Sequence, residues 1–280
     1  AGKGVRVTSE LAEAEAFVCD CLIEGRFGAG GSRVVLEEYL EGEEVSIMAV
    51  CDGEHSLLLP AARDHKRAFD GDRGANTGGM GAYAPSPAVS PQLEREVTEQ
   101  IVQPVLQALA SRGTPYRGAL YCGLMLTAAG PRVIEFNARF GDPETQCILP
   151  LVTGSFSSLL ASAADGALEP ATVGRTNTAA VTVAIVADGY PDAVAEGGEI
   201  FGLDALGGSG LLVFHAGAAR EGSRFLLKGG RAAHVAAVAD SIDAARTRVY
   251  QGIGTLSGSG WRVRRDIGAS AMAPAMRPMR

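Results

Sequence analysis

The chain has 280 residues, 46% of them hydrophobic and 20% charged, which is enough apolar material for the core of one large domain or two unequal ones. Its formal net charge of −7 argues against duplex nucleic acid as the main partner, because no basic excess is available to neutralise phosphates. No apolar run reaches the ~18 residues that span a bilayer, and no signal peptide is visible, so we expect a protein outside the membrane.

The cysteine content indicates a reducing compartment. The five cysteines are an odd number in a chain too long to need disulfide staples, and no Cys-x-x-Cys pair is present. Free thiols in the cytoplasm are favoured over a zinc site.

The first predicted elements are a helix and a strand. The chain opens without Met on Ala1-Gly2-Lys3-Gly4, which predicts an N-terminally truncated fragment. Apolar residues at helical spacing after Ser9 predict an N-capped amphipathic helix that reaches Leu22. A glycine-rich loop follows, and residues 33–40 are predicted to form a strand.

A hairpin and a long loop come next. Residues 44–51 and 56–60 flank Asp52-Gly53, which is a strong hairpin signal. Residues 63–87 are dense in Gly, Asp, Asn and Pro and are predicted to form a functional loop. Pro91 then starts a helix that runs to about residue 109.

The middle of the chain predicts two strands, at 118–127 and 132–137, and a loop at 139–144 that leads into helical material through residue 160. From about residue 176 a separate β-rich unit is expected. Its predicted strands are 179–187, 211–215, 224–227 and 231–239, followed by a helix at 242–250 and a frayed tail after 268.

The strongest chemical signal lies in the strand that ends at Asn137. Because alternate strand residues share a face, Glu135, Asn137 and Arg139 are expected to point together, with Ile134 and Phe136 directed into a core. Carboxylate and amide oxygens suit Mg²⁺, and a nearby guanidinium can neutralise a transferred phosphoryl group. A solvent-facing edge strand is the alternative interpretation.

Three further segments carry weaker signals. Asp142 and Glu144 lie in a turn that contains Gly141 and Pro143 and leads into a helix, and the N-terminus of a helix also favours bound anions. The glycines of Asn76–Tyr83 allow backbone amides to converge on an anion, although a plain flexible loop is equally compatible. The acidic stretch Glu37–Glu44 resembles either a connector that reads an adenine edge or a charged hairpin rim. The histidines of the last unit, His215 and His234, are interpreted as core residues.

Taken in order, these segments resemble the phosphoribosylamine–glycine ligase family of ATP-grasp enzymes. The matching stretches are AGKGV, EEYLEGEEVS, DHKR, NTGGMGAY, YCGLML, VIEFNARFGDPETQ, VADGYP, VFHAG and KGGR. The resemblance implies an α+β fold, with a partial ATP-grasp domain at 1–173 followed by a small β-rich C-terminal domain at 174–268 and a tail at 269–280. Within the first domain, residues 1–36 are a lid remnant and 37–173 the core.

The resemblance also implies a reaction, the joining of glycine to 5-phosphoribosylamine in purine biosynthesis, with ATP converted to ADP and phosphate through a glycyl phosphate. The implied cofactor is Mg²⁺ or Mn²⁺, held by Glu135 and Asn137. The implied catalytic residues are Arg139, Asp142 and Glu144. Those implied for ATP are Lys3, Glu37, Glu38, Tyr39, Leu40 and Glu44. Those implied for the substrates are Asp64, Lys66, Asn76, Thr77, Gly78, Gly79, Met80 and Gly81.

The sequence departs from the family pattern in two ways. The strand that includes Gly123–Leu126 lacks the metal carboxylate common in ATP-grasp enzymes. The N-terminal nucleotide-fold domain and the strand lysine before AGKG are also missing, so we expect the chain alone to be inactive. Another ATP-grasp carboxylate–amine ligase and a non-catalytic nucleotide-binding fragment are the alternatives. We expect a monomer or weak oligomer with no nucleic-acid or membrane partner.

Overall fold

The computed structural model describes residues 4–193 and 197–272. Lys3 and residues 273–280 of the predicted tail lie outside these ranges. The chain divides into two compact units, residues 1–41 and 42–280.

The secondary structure is a mixture of helices and strands, as predicted. The helices are α1 Leu11–Leu22, α2 Pro91–Val97, α3 Gln103–Ser111, α4 Thr145–Ile148, α5 Phe156–Asp165, α6 Leu203–Gly208 and α7 Ile242–Ile253. The strands are β1 Glu43–Asp52, β2 Ser56–Leu58, β3 Arg63–Asp64, β4 Arg67–Phe69, β5 Arg73–Asn76, β6 Gly81–Ala84, β7 Arg117–Thr127, β8 Gly130–Asn137, β9 Val152–Gly154, β10 Val173–Arg175, β11 Ala179–Ala187, β12 Glu199–Phe201, β13 Leu212–His215, β14 Ala218–Glu221, β15 Arg224–Leu227, β16 Arg231–Ala239, β17 Ser257–Ser259 and β18 Trp261–Arg262.

The first unit is built on α1. Its cap is not the predicted one, since the helix begins after Glu10, whose N–H donates to Thr8 Oγ1 at 3.0 Å. Phe17 on the helix packs edge-to-face on Phe27, with ring centroids 6.2 Å apart. The strand predicted at 33–40 is wrong, because no described segment pairs with these residues and a strand without a partner leaves its backbone groups unsatisfied.

The first sheet of the second unit has the strand order β2-β1-β7-β8 and is antiparallel throughout. One face packs on the helical segment from α2 to α3, which is continuous through a π-turn at Thr98–Val102. The N-cap is Ser90, whose Oγ accepts the N–H of Leu93 at 3.2 Å, as the Ser-Pro signal predicts. The other face packs partly on α4 and α5 through Met48 and Val50, and it also carries polar side chains such as Ser46.

The second sheet crosses the predicted domain boundary. It has the order β13-β16-β11-β6-β3, with β18 also paired to β11. Thus β6, from the segment predicted to be a long loop, pairs with β11 about a hundred residues later in the chain. The structure replaces the predicted loop at 63–87 with four short strands, β3 to β6. The boundary at 173 stays a prediction.

Candidate active site

On one face of the first sheet, several of the predicted residues are cross-strand neighbours and so form rows across β1, β7 and β8. Ser46, Gly123 and Glu135 lie opposite one another on β1, β7 and β8, and the next row is Met48, Tyr121 and Asn137. Side chains two residues apart on each strand share this face. Glu44 therefore lies on the same face as Ser46.

The predicted metal residues are adjacent on this face. Neither Glu135 nor Asn137 makes a side-chain hydrogen bond or ion pair within the described part of the chain, so both oxygens are available. A Cβ at Gly123 would lie 3.3 Å from Glu135 Cγ, so the small residue leaves room for the carboxylate. No cluster of three His, Cys, Asp or Glu forms among the described residues. Two protein oxygens therefore fit a Mg²⁺ that is completed by phosphate oxygens, rather than a closed metal site.

Two details of the predicted strand are wrong. Arg139 lies beyond the end of β8, and its Nη1 donates to the carbonyl of Phe140 at 2.9 Å instead of joining the row of Glu135 and Asn137. Phe136 is 41% exposed and not in a core. The reason is that β8 is the edge strand of the sheet, so its apolar side chains are only partly covered.

A buried chain of hydrogen bonds anchors Glu144. The hydroxyl oxygens of Tyr121 and Ser46 are 2.8 Å apart, and Ser46 Oγ donates to Glu144 Oε1, also at 2.8 Å. All three residues are buried. Burial, followed by the neighbouring Glu144 carboxylate, raises the pKa of Tyr121, so the phenol stays protonated. A Cβ at Gly141 would come within 2.6 Å of Glu144 Oε2, which explains the glycine in this turn.

A second carboxyl group lies beside Glu144. Asp64 Oδ1 is buried and has no hydrogen-bond partner in the described structure. Burial and then the nearby charge of Glu144 raise the pKa of Asp64 well above its usual range. An unpaired buried carboxyl oxygen is costly and is typical of a functional site.

Lys66 supplies the positive charge of this region. It pairs with Glu44, the residue predicted to hold the ribose. Burial alone would lower the pKa of Lys66, but the Glu44 carboxylate, with smaller effects of Asp64 and Glu135, raises it. The ammonium is therefore charged and lies among three carboxylates.

The glycine loop, Asn76–Gly81, does not act as the predicted anion cradle. Its central N–H groups are already bonded, from Thr77 to Lys66 O at 2.7 Å, from Gly78 to Tyr190 Oη at 3.0 Å, from Gly79 to Thr77 Oγ1 at 3.0 Å and from Met80 to His65 O at 2.8 Å. The glycines are needed for close packing instead. A Cβ at Gly79 would lie 2.3 Å from Pro143 Cδ and 3.0 Å from Asp64 Oδ1.

Residues from the C-terminal strands contact the site; sequence reasoning missed Arg231, and it interpreted His234 as a core residue, which its burial bears out. Arg231 at the start of β16 donates to Gly78 O at 2.7 Å and to Asp142 Oδ2 at 2.5 Å. His234 is buried, with Nε2 3.8 Å from Asp142 Oδ1, and burial lowers its pKa to about 4. The signal for Arg231 was the Gly229-Gly230 pair before it, which resembles a turn that brings a backbone close to a ligand or loop.

The residues predicted to bind adenine belong to the first unit. Glu37, Glu38, Tyr39 and Leu40 lie in an irregular segment, and Tyr39 is 71% exposed. Their role stays a prediction.

The remaining predictions concern thiols and membranes. All five cysteines are free, and four are buried. Among the residues that the structure describes, no helix combines the length and apolar character needed to cross a membrane.

Comparisons with known proteins agree on one family. The family model for the phosphoribosylglycinamide synthetase ATP-grasp (A) domain matches residues 1–145, and that for the C domain matches residues 180–270. The chain is 44% identical over 274 residues to phosphoribosylamine–glycine ligase of Caulobacter vibrioides and 45% identical over 274 residues to that of Allochromatium vinosum. It covers 64% of each relative, which in turn matches 97% and 98% of the chain.

Solved structures show the same fold. Phosphoribosylamine–glycine ligase from Thermotoga maritima matches with a TM-score of 0.83 and 34% identity, over 95% of this chain and 66% of that one. The biotin carboxylase domain of 2-oxoglutarate carboxylase from Hydrogenobacter thermophilus, solved with MgADP and bicarbonate, matches with a TM-score of 0.67 and 19% identity, over 93% and 56%. The predicted α+β class and ATP-grasp fold are confirmed.

Proposed function

The chain belongs to the phosphoribosylglycinamide synthetase family, and from this premise we propose that it forms the catalytic part of a ligase that joins glycine to 5-phosphoribosylamine with consumption of ATP. The chain spans 64% of the length of the curated relatives it matches. The free thiols support the cytoplasm as its compartment.

The observation that carries the proposal is the shared face of the first sheet. Glu135 and Asn137 offer two oxygens on β8, while Asp64 and Glu144 form a buried carboxyl pair nearby and Lys66 lies between the two groups. This arrangement separates a metal–phosphate region from a region suited to the ammonium group of a small substrate. Both are required to activate the carboxylate of an amino acid with ATP.

Each protein group has a task in this proposal. Glu135 and Asn137 would hold Mg²⁺ or Mn²⁺, which when bound neutralises charge on the phosphates. Lys66 would attract phosphate or carboxylate oxygens from its position beside Glu44. Asp64 and Glu144 would receive the ammonium group of glycine, because a cation relieves the repulsion between two buried carboxylates.

A coupled assay tests the proposal. ADP release would be measured with Mg²⁺ or Mn²⁺, ATP, phosphoribosylamine and glycine, and separately with alanine, serine or aspartate in place of glycine. The chain would be tested alone and within a full-length protein of the family that carries these residues. We expect turnover only in the full-length protein and only with glycine.

The matched variants are Glu135→Gln and Glu99→Gln. Glu135 faces the metal region, whereas Glu99 is exposed on the helix that covers the opposite face of the sheet. We expect Glu135→Gln to lower kcat by about 100-fold or more and Glu99→Gln to have no effect. Equal turnover with another amino acid, or full activity of Glu135→Gln, would contradict the proposal.

A further inference from the structure

One guanidinium group joins two loops of the site. Arg231 Nη1 donates to Gly78 O at 2.7 Å and makes longer contacts to Gly79 O at 3.4 Å and Asp142 O at 3.3 Å, while Nη2 donates to Asp142 Oδ2 at 2.5 Å. The Arg231 side chain is only 18% exposed. Four acceptors on two loops are therefore satisfied from the C-terminal strand β16.

The contacts leave little freedom for either loop. A Cβ at Gly78 would lie 3.2 Å from Arg231 Cζ, so any side chain at this position would crowd the guanidinium. The glycine therefore allows the loop backbone to come this close to Arg231. The second carboxylate oxygen of Asp142 is also occupied, because Gln146 Nε2 donates to Oδ1 at 2.9 Å. An Asp142 carboxylate engaged at both oxygens is an anchor and is not free to act on a substrate.

The two loops adjoin the buried carboxyl pair, since Glu144 ends the second loop and Asp64 on β3 pairs with Ala82 of β6, directly after the glycine loop. Gly79 packs against both Pro143 and Asp64, and Glu144 follows Pro143 in the chain. Any separation of the glycine loop from residues 141–144 therefore changes the distance between Asp64 and Glu144. The charged groups around Asp64 are Glu144, Lys66 and Glu44.

We propose that Arg231 is a positioning residue, which clamps the glycine loop to the Gly141–Glu144 loop through Asp142 and so sets the separation of Asp64 and Glu144. The inference rests on the proposed function for its catalytic consequence, but the clamp itself can be tested without turnover. It also assigns Asp142 to the clamp rather than to the catalytic residues.

The first experiment is a titration of the full chain. The carboxyl carbon of Asp64 would be followed by NMR in the wild type, in Arg231→Gln and in Arg224→Gln, whose exposed arginine pairs with Glu199 and Glu221 in the same part of the fold. We expect Asp64 to titrate at a lower pH in Arg231→Gln, because Glu144 moves away, and hydrogen exchange of the Gly78 and Met80 amides to accelerate. Arg224→Gln should match the wild type in both.

The second experiment measures catalysis in the active full-length protein. Misplacement by about 1 Å can reduce turnover by about 100-fold, so we expect Arg231→Gln to lower kcat by about 10- to 100-fold with KM for ATP within about twofold. Arg231→Lys should recover only a small part, since one ammonium cannot span both loops. If Arg231→Gln does not fold, Asp142→Asn should produce the same changes with smaller size.

The outcomes are separable. Unchanged Asp64 titration and unchanged amide exchange in Arg231→Gln would overturn the clamp, whatever the enzyme activity. A wild type that shows no glycine-dependent turnover in a full-length protein would overturn the proposed function and leave the titration result standing.

Discussion

At the scale of single residues, Asp64 is the residue of the site that most opposes the stability of the folded protein. Its Oδ1 is buried without a partner, and its charge is opposed by burial and by Glu144. A group whose folded pKa is raised destabilises the native state increasingly as pH rises from its unfolded pKa toward its folded pKa. The native state therefore carries an electrostatic penalty at neutral pH.

The first prediction is that Asp64→Asn stabilises the unliganded protein by about 1–2 kcal/mol at pH 8, because the amide removes the opposed charge while keeping the shape. The gain should fade as pH drops toward about 4 and vanish below about 3, where Asp64 is protonated in both states. Urea unfolding at several pH values measures it. A variant that is less stable than the wild type at pH 8 would contradict this prediction, because it would mean that the Asp64 carboxylate stabilises the folded protein.

A second prediction concerns Glu135 and Asn137. In Glu135→Gln the carboxylate charge is lost while the side-chain size is kept, so the Mg²⁺-dependent part of ADP affinity should fall by about tenfold or more. Calorimetry of the full-length protein with and without Mg²⁺ measures this, and Glu99→Gln provides the control. An identical loss without Mg²⁺ would indicate a general binding defect and count against a metal role.

The sequence predicted the alternation of Glu135 and Asn137 correctly, because period-2 patterning is a local property of a strand. It did not predict the direction of Arg139, which depends on where β8 ends. The amide convergence expected of Gly78 and Gly79 failed, since the distant Tyr190 Oη accepts the N–H of Gly78 and the nearby Thr77 Oγ1 accepts that of Gly79. Arg231 was missed because its partners lie far earlier in the chain, Asp142 by 89 positions and Gly78 by 153.

At the scale of elements, the β1–β2 hairpin is held by Asp52. Its carboxylate accepts the N–H groups of Glu54 at 2.9 Å, His55 at 2.6 Å and Leu168 at 2.9 Å. Burial alone would raise the pKa of Asp52, but these backbone hydrogen bonds outweigh it and lower the pKa to about 2. The carboxylate thus ties the turn to the segment after α5.

The third prediction is that Asp52→Asn destabilises the protein by about 1–2 kcal/mol at pH 7, since the amide cannot accept all of these bonds with a full charge. The stabilisation by Asp52 is fully present above about pH 4 and is lost as pH falls through about 2. Guanidinium unfolding of both proteins between pH 7 and pH 2 measures the difference. A difference that does not shrink on acidification would assign the effect to packing.

The β4–β5 hairpin depends on a buried arginine. Arg264 is 1% exposed and donates to Asp72 Oδ1 at 2.9 Å, to Asp266 Oδ2 at 2.7 Å and to Arg67 O at 2.9 Å. Burial would raise the pKa of Asp266, but the Arg264 hydrogen bonds hold it below its usual range. The hairpin next to the glycine loop is therefore fixed by the C-terminal segment.

The fourth prediction follows from this network. Arg264→Met should destabilise the protein by about 2–4 kcal/mol, because removal of one partner leaves two carboxylates and a carbonyl without their donor. Thermal unfolding measures the loss, and the exposed Arg265→Met is the matched control. A loss below about 0.5 kcal/mol would mean that water replaces the guanidinium at little cost.

Elements with local signals were predicted well. The hairpin at Asp52-Gly53, the Ser90-capped helix and the strands β7, β11 and β16 all depend on neighbours in sequence. The strands within residues 63–87 were missed, because each is only two to four residues long and because β6, with which β3 pairs, is fixed by the distant β11. The strand expected at 33–40 failed for the opposite reason, since apolar content without a partner does not make a strand.

At the scale of the whole molecule, the second sheet joins segments from both sides of the predicted boundary, which favours cooperative unfolding of the second unit. Strands β3 and β6 precede the predicted boundary at 173, whereas β11, β13 and β16 follow it, and all five share one sheet. The core cluster around β11 likewise includes Met80 and Tyr83 from the earlier segment. Separation at 173 would expose this core and leave strand edges unpaired.

The fifth prediction is that residues 42–280 unfold in one cooperative transition and that a cut near the predicted boundary does not release two folded domains. A protease site inserted after Asn177, an exposed residue between β10 and β11, would be cleaved in the native protein, with an identical insertion after Gly113 as the control. Because β6 pairs with β11 across the cut, we expect the two pieces to stay associated under native conditions and to separate only in denaturant. The uncleaved protein should unfold in a single transition monitored by circular dichroism. Two independent transitions, or a C-terminal piece that stays folded after it is purified away from the N-terminal piece, would instead establish a domain boundary at 173. The pairing of β6 with β11 would then be a weak contact between two domains and not part of a shared core.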